Sequence, residues 1–314
     1  MNRRAFRGTV GRVIELRDLT KRYGRTAAVD RLTCTVRPGL VTGFLGPNGS
    51  GKSTTLRMIL GLNKPTSGTA TINGRPFRDH RRGLRHVGAL LDAGDVHGGR
   101  SARLHLAALA AGNGIARARV DEVLHEVGLT DVAHRRIGGF SLGMRQRLGI
   151  AGALLGDPPV LLFDEPINGL DPEGVHWVRG LFRRLAAEGR TVLVSSHLMT
   201  EMANTAEQLI VLGRGRLLAA QSVTEFAARG TRPTVIVRSG DDAAFAAALT
   251  AAGATVHRDA GALAVTGLTA TRIGELAMDH RILLHELTTR TASLEQAFME
   301  LTADSVEYLA GDPR

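Results

Sequence analysis

The 314-residue sequence has little cysteine, few aromatic residues and no long apolar run. Its single cysteine, Cys34, excludes an intramolecular disulfide framework and favours a reducing cytoplasm. Only two tyrosines and one tryptophan are present, which argues against a single-stranded nucleic-acid surface built from stacking aromatic rings. No apolar run comes close to the length of a membrane-spanning helix, which is about 20 residues. We therefore expect any membrane-spanning part of the system to be a separate chain.

Positive charge, in contrast, is in excess. The formal net charge of +10 is compatible with a nucleic-acid partner, an anionic membrane face or phosphate ligands. Because aromatic residues are scarce, a positive surface near acidic lipid headgroups is the more economical interpretation, and solvated side chains without a partner are the default alternative. The length suits two domains, and the hydrophobic content of 43% is enough to build their cores.

A glycine-rich segment follows the apolar run Val41 to Leu45 and matches the G-x-x-x-x-G-K-S pattern of a phosphate-binding loop. In such a loop, glycines let consecutive N–H groups curl around phosphates, and the following helix directs its positive end at them. Lys52 would reach the β- and γ-phosphates, and the Ser53 hydroxyl would ligate magnesium. The alternative is a glycine-rich turn that packs backbone without a ligand. The candidate nucleotide-binding residues here are Gly46, Pro47, Asn48, Gly49, Ser50, Gly51, Lys52, Ser53 and Thr54.

Two adjacent carboxylates, Asp164 and Glu165, follow the apolar run Val160 to Phe163. Such a run is typical of a buried parallel strand, and ligands of an open α/β sheet bind at the carboxyl ends of its strands. Asp164 would then hold magnesium, directly or through a bound water, and Glu165 would accept a proton from an attacking water. The alternative is an acidic pair that caps a helix before the turn at Pro166.

Between these two motifs, the segment Gly138 to Arg147 resembles the signature loop of ATP-binding cassette (ABC) ATPases, usually written L-S-G-G-Q. Ser141 and the second glycine, Gly143, are kept. The family's Leu, first Gly and Gln are replaced by Phe140, Leu142 and Met144. The resemblance implies that the serine hydroxyl and glycine N–H groups bind the γ-phosphate of a nucleotide held on another subunit. Since leucine is less permissive than glycine, we regard this loop as a functional but divergent copy.

Three further elements occur in the order of this family. Tyr23 resembles the aromatic residue that stacks on adenine. The segment Asn168 to Asp171 resembles the loop that crosses to the partner subunit and helps to position Glu165, so Asp171 is a candidate site residue. His197 resembles the switch histidine that contacts the γ-phosphate and orients water. A lone histidine at a strand end is more often structural, and only its place in this ordered set favours the catalytic role.

One position departs from the family in a way that bears on the metal. Where the family usually has glutamine, this sequence has Asp92, after Val87 to Leu91. A carboxylate can still ligate magnesium, but it cannot donate the amide N–H that helps to orient water. The alternative is that Asp92 is a solvated loop residue. An acid at this position also resembles certain exporter-type cassettes for antibiotics and peptides, which favours export.

The resemblance implies an α/β fold, namely a P-loop ABC ATPase cassette with a RecA-like core, an antiparallel β subdomain and a helical subdomain. We expect the cassette in residues 1–230, with the helical subdomain at about 93–158. Helical spacing predicts two apolar stripes that pack on neighbouring elements. The first stripe is Leu104, Ala107, Ala108 and Ala111, and the second is Val120, Val123, Leu124 and Val127.

Residues 231–314 form a second expected domain that these motifs do not explain. Their pattern is β-α-β-β-α-β followed by a helix, which predicts a small α+β domain of the split βαβ type. Such a domain could serve dimerisation or regulation, or could simply be a stabilising lid. No ligand-binding constellation is evident in it.

The resemblance as a whole implies an enzyme, the ATP-binding and ATP-hydrolysing subunit of an ABC transporter, with Glu165, His197 and Lys52 as catalytic residues and with ATP and Mg²⁺ as ligands. Its partners would be a second copy of itself, in a head-to-tail dimer around the nucleotides, and an integral membrane permease subunit. Nucleic acid is not expected. ATP-dependent dimer closure would drive transport, with export of a drug, antibiotic or peptide preferred, at the cytoplasmic face of the cell membrane.

Two alternatives stay open. One is a soluble ABC ATPase that acts on nucleic acid or the ribosome. The other is an ATP-sensing cassette whose hydrolysis is weakened by the departures at Leu142 and Asp92.

Overall fold

The computed structural model describes residues 13–229, 234–259, 261–290 and 294–303. They divide into two compact units: a larger one that runs to Val223 and takes in Thr302 and Ala303, and a smaller one, Thr224–Leu301. The expected boundary between residues 230 and 231 lies outside the described residues. Strands are numbered β1 to β13 and helices α1 to α10 along the chain.

The larger unit begins with an antiparallel sheet. Its three strands are β1 (Ile14–Tyr23), β2 (Thr26–Val36) and β4 (Ser67–Ile72), in the order β2-β1-β4. Apolar side chains of this sheet share one core with the central sheet. Leu16, Leu32 and Ile72 are buried there together with Phe44 of the central sheet. Burial of such side chains is the main favourable contribution to folding.

The central sheet has six strands in the order β5-β6-β7-β3-β8-β9, and all are parallel except β9. Every residue of β3, β6 and β7 is buried, as is expected of parallel strands that are covered on both faces. Because β7 lies between β3 and β6, the segments that follow these strands meet at one edge of the sheet. The strands are β3 (Val41–Leu45), β5 (Val87–Leu90), β6 (Val160–Asp164), β7 (Thr191–Ser196), β8 (Gln208–Gly213) and β9 (Arg216–Ser222).

Helices complete the larger unit. Three of them, α2, α3 and α4, pack on one another between β5 and β6 in the chain, in the expected helical region. The α/β core, the antiparallel sheet and the helical region predicted from the sequence are thus all present. The helices are α1 (Lys52–Ile59), α2 (Ala102–Gly112), α3 (Ala118–Glu126), α4 (Leu142–Leu154), α5 (Pro172–Ala187) and α6 (Met199–Ala203). After β9, α7 (Val223–Arg229) leads into the smaller unit.

One of the two predicted stripes is buried as expected, and the other is wrong. The stripe from Val120 to Val127 is buried throughout. In α2, however, Leu104 is 59% exposed, and the buried face consists of Ala102, Leu106 and Ala110. Almost every residue of α2 is apolar, so its periodicity does not distinguish the two faces. Tertiary packing decides between them.

The smaller unit contains a four-stranded antiparallel sheet in the order β11-β12-β10-β13. Its elements are β10 (Thr234–Ser239), α8 (Asp242–Ala251), β11 (Thr255–Asp259), β12 (Ala262–Thr266), α9 (Ala270–Asp279) and β13 (Leu284–Arg290), followed by α10 (Leu294–Thr302). Phe245 and Leu249 of α8 and Ile273 of α9 pack with Val235 and Val237 of the sheet in a separate core. Among the described residues, no helix has both the length and the apolar character needed to cross a membrane.

Candidate functional site

The predicted phosphate-binding loop connects β3 to α1. Its shape requires glycine at position 51, where φ is +99° and where a Cβ would lie 2.4 Å from Ala28 O. The preceding residue fastens the loop, because Ser50 N donates to Pro47 O at 3.1 Å and Ser50 O accepts from Gly215 N at 3.1 Å. The N–H groups at the start of α1 are therefore held in a fixed arrangement around the loop, as an anion site needs.

Lys52 lies at the base of this loop and is only 6% exposed. Its Nζ donates to Gly46 O at 2.6 Å and to Pro47 O at 3.1 Å, and it lies 3.9 Å from Glu165 Oε1. Burial lowers the pKa of Lys52, and the negative charges of Glu165 and Asp164 oppose this shift. A phosphate anion beside Lys52 would further favour the charged ammonium.

A serine on the neighbouring strand bonds both residues of the acidic pair, the first at its carboxylate and the second at its backbone N–H. Asp164 ends β6 and is paired in register with Ser195 of β7. Ser195 Oγ donates to Asp164 Oδ1 at 2.5 Å and accepts from Glu165 N at 3.0 Å. A single buried hydroxyl therefore sets the position of both acidic residues. The sequence places Ser195 two residues before His197, but it does not reveal this contact, which depends on strand register.

The Glu165 side chain points toward both of the other predicted catalytic residues. His197 Nδ1 lies 2.9 Å from Glu165 Oε2, a distance at which an imidazole N–H donates to a carboxylate. Glu165 also has a φ of +48°, a conformation that non-glycine residues rarely adopt and that costs about 1–3 kcal/mol. Such backbone strain is concentrated at functional sites. The structure thus brings Lys52, Glu165 and His197 together, as the sequence predicts.

A cavity of about 230 Å³ lies at this point. Ser50 Oγ is buried and has no hydrogen-bond partner among the described residues, so the loop offers a hydroxyl as well as N–H groups to a ligand. Ala28, which no sequence motif indicates, joins the site from β2, in the antiparallel sheet. The cavity is lined by Ala28, Asn48, Gly49, Ser50, Gly51, Lys52, Ser53, Thr54 and Glu165.

The residues present fit a magnesium ion. The Ser53 side chain is exposed at the cavity. Asp164 does not line the cavity, but it ends β6 directly before Glu165, which does, and its charge acts on Lys52. Both residues offer the oxygen ligands that Mg²⁺ prefers. Asp92 does not line this cavity. It is exposed in the loop after β5, where its Oδ1 accepts a hydrogen bond from Gly94 N at 2.7 Å. This placement is that of the solvated loop residue considered as the alternative.

Tyr23 lies at the end of β1 and is 53% exposed. Its hydroxyl accepts a hydrogen bond from Asn63 Nδ2 at 3.0 Å, and Lys21 Nζ lies 5.0 Å from the ring centroid. Tyr23 does not line the cavity. An exposed ring fixed at its hydroxyl is nevertheless a suitable platform for a stacking base.

The candidate residues of the signature loop and of the loop before α5 are also not among those that line the cavity. Ser141 is exposed at the start of α4, where its Oγ accepts from Met144 N at 3.2 Å. Gly143 follows in the first turn of this helix. Asp171 caps α5, since its Oδ1 accepts from Gly174 N at 2.8 Å. Within one chain, these three residues therefore form helix starts rather than part of the cavity.

Comparison with known proteins identifies the family. The ABC transporter family model matches residues 29–168, and a domain of unknown function (DUF8746) matches residues 233–295. The chain is 35% identical over 306 residues to the uncharacterized ABC transporter ATP-binding protein YhcH of Bacillus subtilis (strain 168), covering 94% of this chain and 97% of that protein. It is 43% identical over 209 residues to the bacitracin transport ATP-binding protein BcrA of Bacillus licheniformis, and this match covers 66% of this chain and 68% of that protein.

A solved structure agrees with these relatives. The dimeric structure of MJ0796, a bacterial ABC transporter cassette, has a TM-score of 0.63 and 26% sequence identity, and the match covers 67% of this chain and 98% of that one. The α/β cassette fold and the ATPase activity that the motifs imply are thereby confirmed. The chain belongs to the ABC transporter family, as one of its ATP-binding and ATP-hydrolysing subunits.

Proposed function

We propose that this chain powers export of a drug, antibiotic or peptide through a separate integral membrane subunit, by closing and reopening a head-to-tail dimer around two ATP molecules. The observation that carries this proposal is the position of Glu165. Its carboxylate lies 2.9 Å from His197 Nδ1 and 3.9 Å from Lys52 Nζ, beside a cavity formed by the phosphate-binding loop. A proton acceptor, a cation and an anion-binding loop are the parts that phosphoryl transfer to water needs.

The residues that line this cavity and those beside it divide the tasks of the proposed reaction. The loop N–H groups and Lys52 bind the phosphates and compensate their charge. Glu165 takes a proton from the attacking water at its carboxylate, and His197 holds that carboxylate and orients the water. Ser53 and Asp164 would hold Mg²⁺, which would neutralise charge on the phosphate oxygens. Ser195 keeps Asp164 and Glu165 in place for both tasks.

A second copy of the chain would complete each site. Ser141 and Gly143 stand at the exposed start of α4 and are not at the cavity of their own chain, which supports a role at the nucleotide of the other copy. Closure would follow because the phosphates bridge two surfaces rich in N–H groups, and hydrolysis would remove that bridge. The solved structure of the cassette MJ0796 is dimeric, which supports the proposal of a dimer.

A relative's name favours export, and charge favours a position at the membrane. One relative, 37% identical over 211 residues, carries the name Nod factor export ATP-binding protein I. The net charge of +10 of the present chain suits the anionic cytoplasmic leaflet. The membrane-spanning pathway would be supplied by the partner, as the expected localisation at the cytoplasmic face of the membrane requires.

The composite site can be tested by mixing two inactive variants. Lys52→Ala removes the phosphate-binding cation of its own chain, and Ser141→Arg blocks the segment offered to the other chain. In a head-to-tail mixed dimer, one site receives both substitutions and the other receives neither, so phosphate release should return to about a quarter of the wild-type rate on random mixing. If each site is formed by one chain alone, mixing will restore nothing.

The transport step needs a separate experiment. The chain is co-purified with its membrane subunit, reconstituted in vesicles, and tested for compounds that raise ATP turnover. We expect stimulation by an exported compound and its ATP-dependent movement away from the side that carries this chain. Movement toward that side would show import and overturn the export proposal.

A further inference from the structure

The leucine that replaces the first glycine of the signature loop packs against the loop that follows the acidic pair. A Cβ placed on Gly169 would lie 2.1 Å from Leu142 Cδ2 and 2.5 Å from its Cγ. The Leu142 side chain thus occupies the volume that any other residue at position 169 would fill. Gly169 also has a φ of +77°, which favours glycine independently of this contact.

Two further contacts join the first turns of α4 to the same loop. A Cβ on Gly143 would lie 3.4 Å from Gly169 O and 3.5 Å from Leu170 Cδ2, so the backbones approach closely. One turn further along α4, Gln146 is 6% exposed and its Nε2 donates to Asn168 O at 3.2 Å. The helix therefore holds the loop 168–171 by an apolar contact at Gly169 and a buried hydrogen bond at Asn168.

This loop is continuous with Glu165 through short hydrogen-bonded turns. Asn168 N donates to Glu165 O at 3.3 Å, and the Gln146 amide lies 3.5 Å from the same carbonyl oxygen. Leu170 N donates to Ile167 O at 3.1 Å, and Asp171 then caps α5. A displacement of the loop would therefore move the backbone of Glu165, which is already held in a strained left-handed conformation.

We propose that Leu142 is a positioning residue that acts within its own chain: by filling the space left by Gly169, it fixes the loop 168–171 and so keeps the Glu165 carboxylate between Lys52 and His197. Leu142 and Gly169 then form a complementary pair. Compared with the family's glycine, leucine at position 142 has less backbone freedom but supports the loop 168–171 within its own chain. This inference rests on the proposed role of Glu165 as the proton acceptor.

A double-mutant cycle separates this pairing from ordinary structural damage. Gly169→Ala introduces a methyl group into the volume of Leu142, and we expect kcat for ATP hydrolysis to fall about tenfold or more, because small misplacements of a catalytic group are costly. Leu142→Ala alone should lower kcat about threefold, with KM for ATP and the thermal unfolding midpoint nearly unchanged. The double variant should be more active than Gly169→Ala alone by about threefold, since the added methyl group then has room.

Two matched controls measure the effect of backbone strain at a substituted glycine and the effect of losing an exposed leucine side chain. Gly74 has a φ of +78° and no atom within 4 Å of the position that a Cβ would occupy, so Gly74→Ala imposes the same backbone strain without the clash. Leu104 is 59% exposed and Leu142 is 53% exposed, so Leu104→Ala removes a similar side chain from another helix. We expect both controls to keep wild-type kcat.

The proposal is overturned if the double variant is no more active than the product of the two single effects predicts, or if Leu142→Ala changes only the unfolding midpoint. Glu165→Gln is measured in parallel. If Glu165→Gln hydrolyses ATP at the wild-type rate, the proposed function fails and this inference fails with it. If Glu165→Gln is inactive while the cycle is additive, only the pairing of Leu142 with Gly169 is refuted.

Discussion

Replacing Ser195 by alanine tests how the acidic pair is held. The substitution removes the hydroxyl that donates to Asp164 Oδ1 at 2.5 Å and accepts from Glu165 N at 3.0 Å. A hydrogen bond to a charged group contributes about 1.5–3 kcal/mol, and an N–H left without an acceptor costs about 1–3 kcal/mol. Because one hydroxyl makes both bonds, the two effects overlap, and we expect a loss of about 3 kcal/mol in the free energy of unfolding.

The same substitution should impair catalysis beyond its effect on stability. Without the Ser195 hydroxyl, the Asp164 carboxylate and the Glu165 N–H both lose their hydrogen-bond partner on β7, and we expect kcat for ATP hydrolysis to fall about 10–100-fold at a temperature where the variant is folded. Urea unfolding gives the stability change, and phosphate release at saturating ATP gives kcat. Ser239→Ala is the control, because it removes a comparable serine–aspartate bond, to Asp242, in the smaller unit.

A Ser195→Ala variant with wild-type kcat would refute this reasoning, even if its stability were reduced. Equal losses of kcat in Ser195→Ala and Ser239→Ala would refute it as well, since the effect would then be unrelated to the position of the acidic pair.

Two further predictions concern a buried thiol and an exposed ring. Burial raises the pKa of the Cys34 thiol to about 12, so at pH 8 an aromatic disulfide reagent should label the native protein at least about 100-fold more slowly than the urea-unfolded protein; equal rates would contradict the burial of Cys34. Tyr23→Ala should weaken ATP binding about tenfold by calorimetry, because it removes a stacking platform, whereas Tyr23→Phe, which loses only the bond from Asn63, should stay within about twofold of the wild type. Equal losses in the two Tyr23 variants would show that the hydroxyl, and not the ring, is what matters.

Much of the site could be predicted from the sequence, because the decisive residues follow apolar runs. Lys52 comes after β3, Glu165 after β6 and His197 after β7, and parallel strands carry such residues to one edge of a sheet. The order β6-β7-β3 then brings the ends of the three strands side by side, so that the Glu165 carboxylate reaches both Lys52 and His197. The element order of the smaller unit could be predicted as well, because turn residues separate its short alternating segments.

The remaining features depend on tertiary contacts that local patterns do not contain. Ser195 meets Asp164 only because the two strands pair in that register. Ala28 reaches the cavity from a different sheet, and Leu142 meets Gly169 although the rest of α4 and the whole of β6 separate them in the chain. In α2, nearly all residues are apolar, so tertiary packing and not periodicity determines the buried face, and the predicted face was wrong.

In the proposed reaction, Glu165 removes the proton from the water that attacks ATP. Phosphate release by the purified chain at saturating ATP and Mg²⁺, compared between wild type, Glu165→Gln and Glu126→Gln, tests it most directly. Glu126 is a suitable control because its side chain is 27% exposed, against 23% for Glu165, and because it pairs with Arg184 away from the cavity. We predict that Glu165→Gln lowers kcat at least about 100-fold while ATP still binds, and that Glu126→Gln does not. Hydrolysis by Glu165→Gln at the wild-type rate would contradict the account.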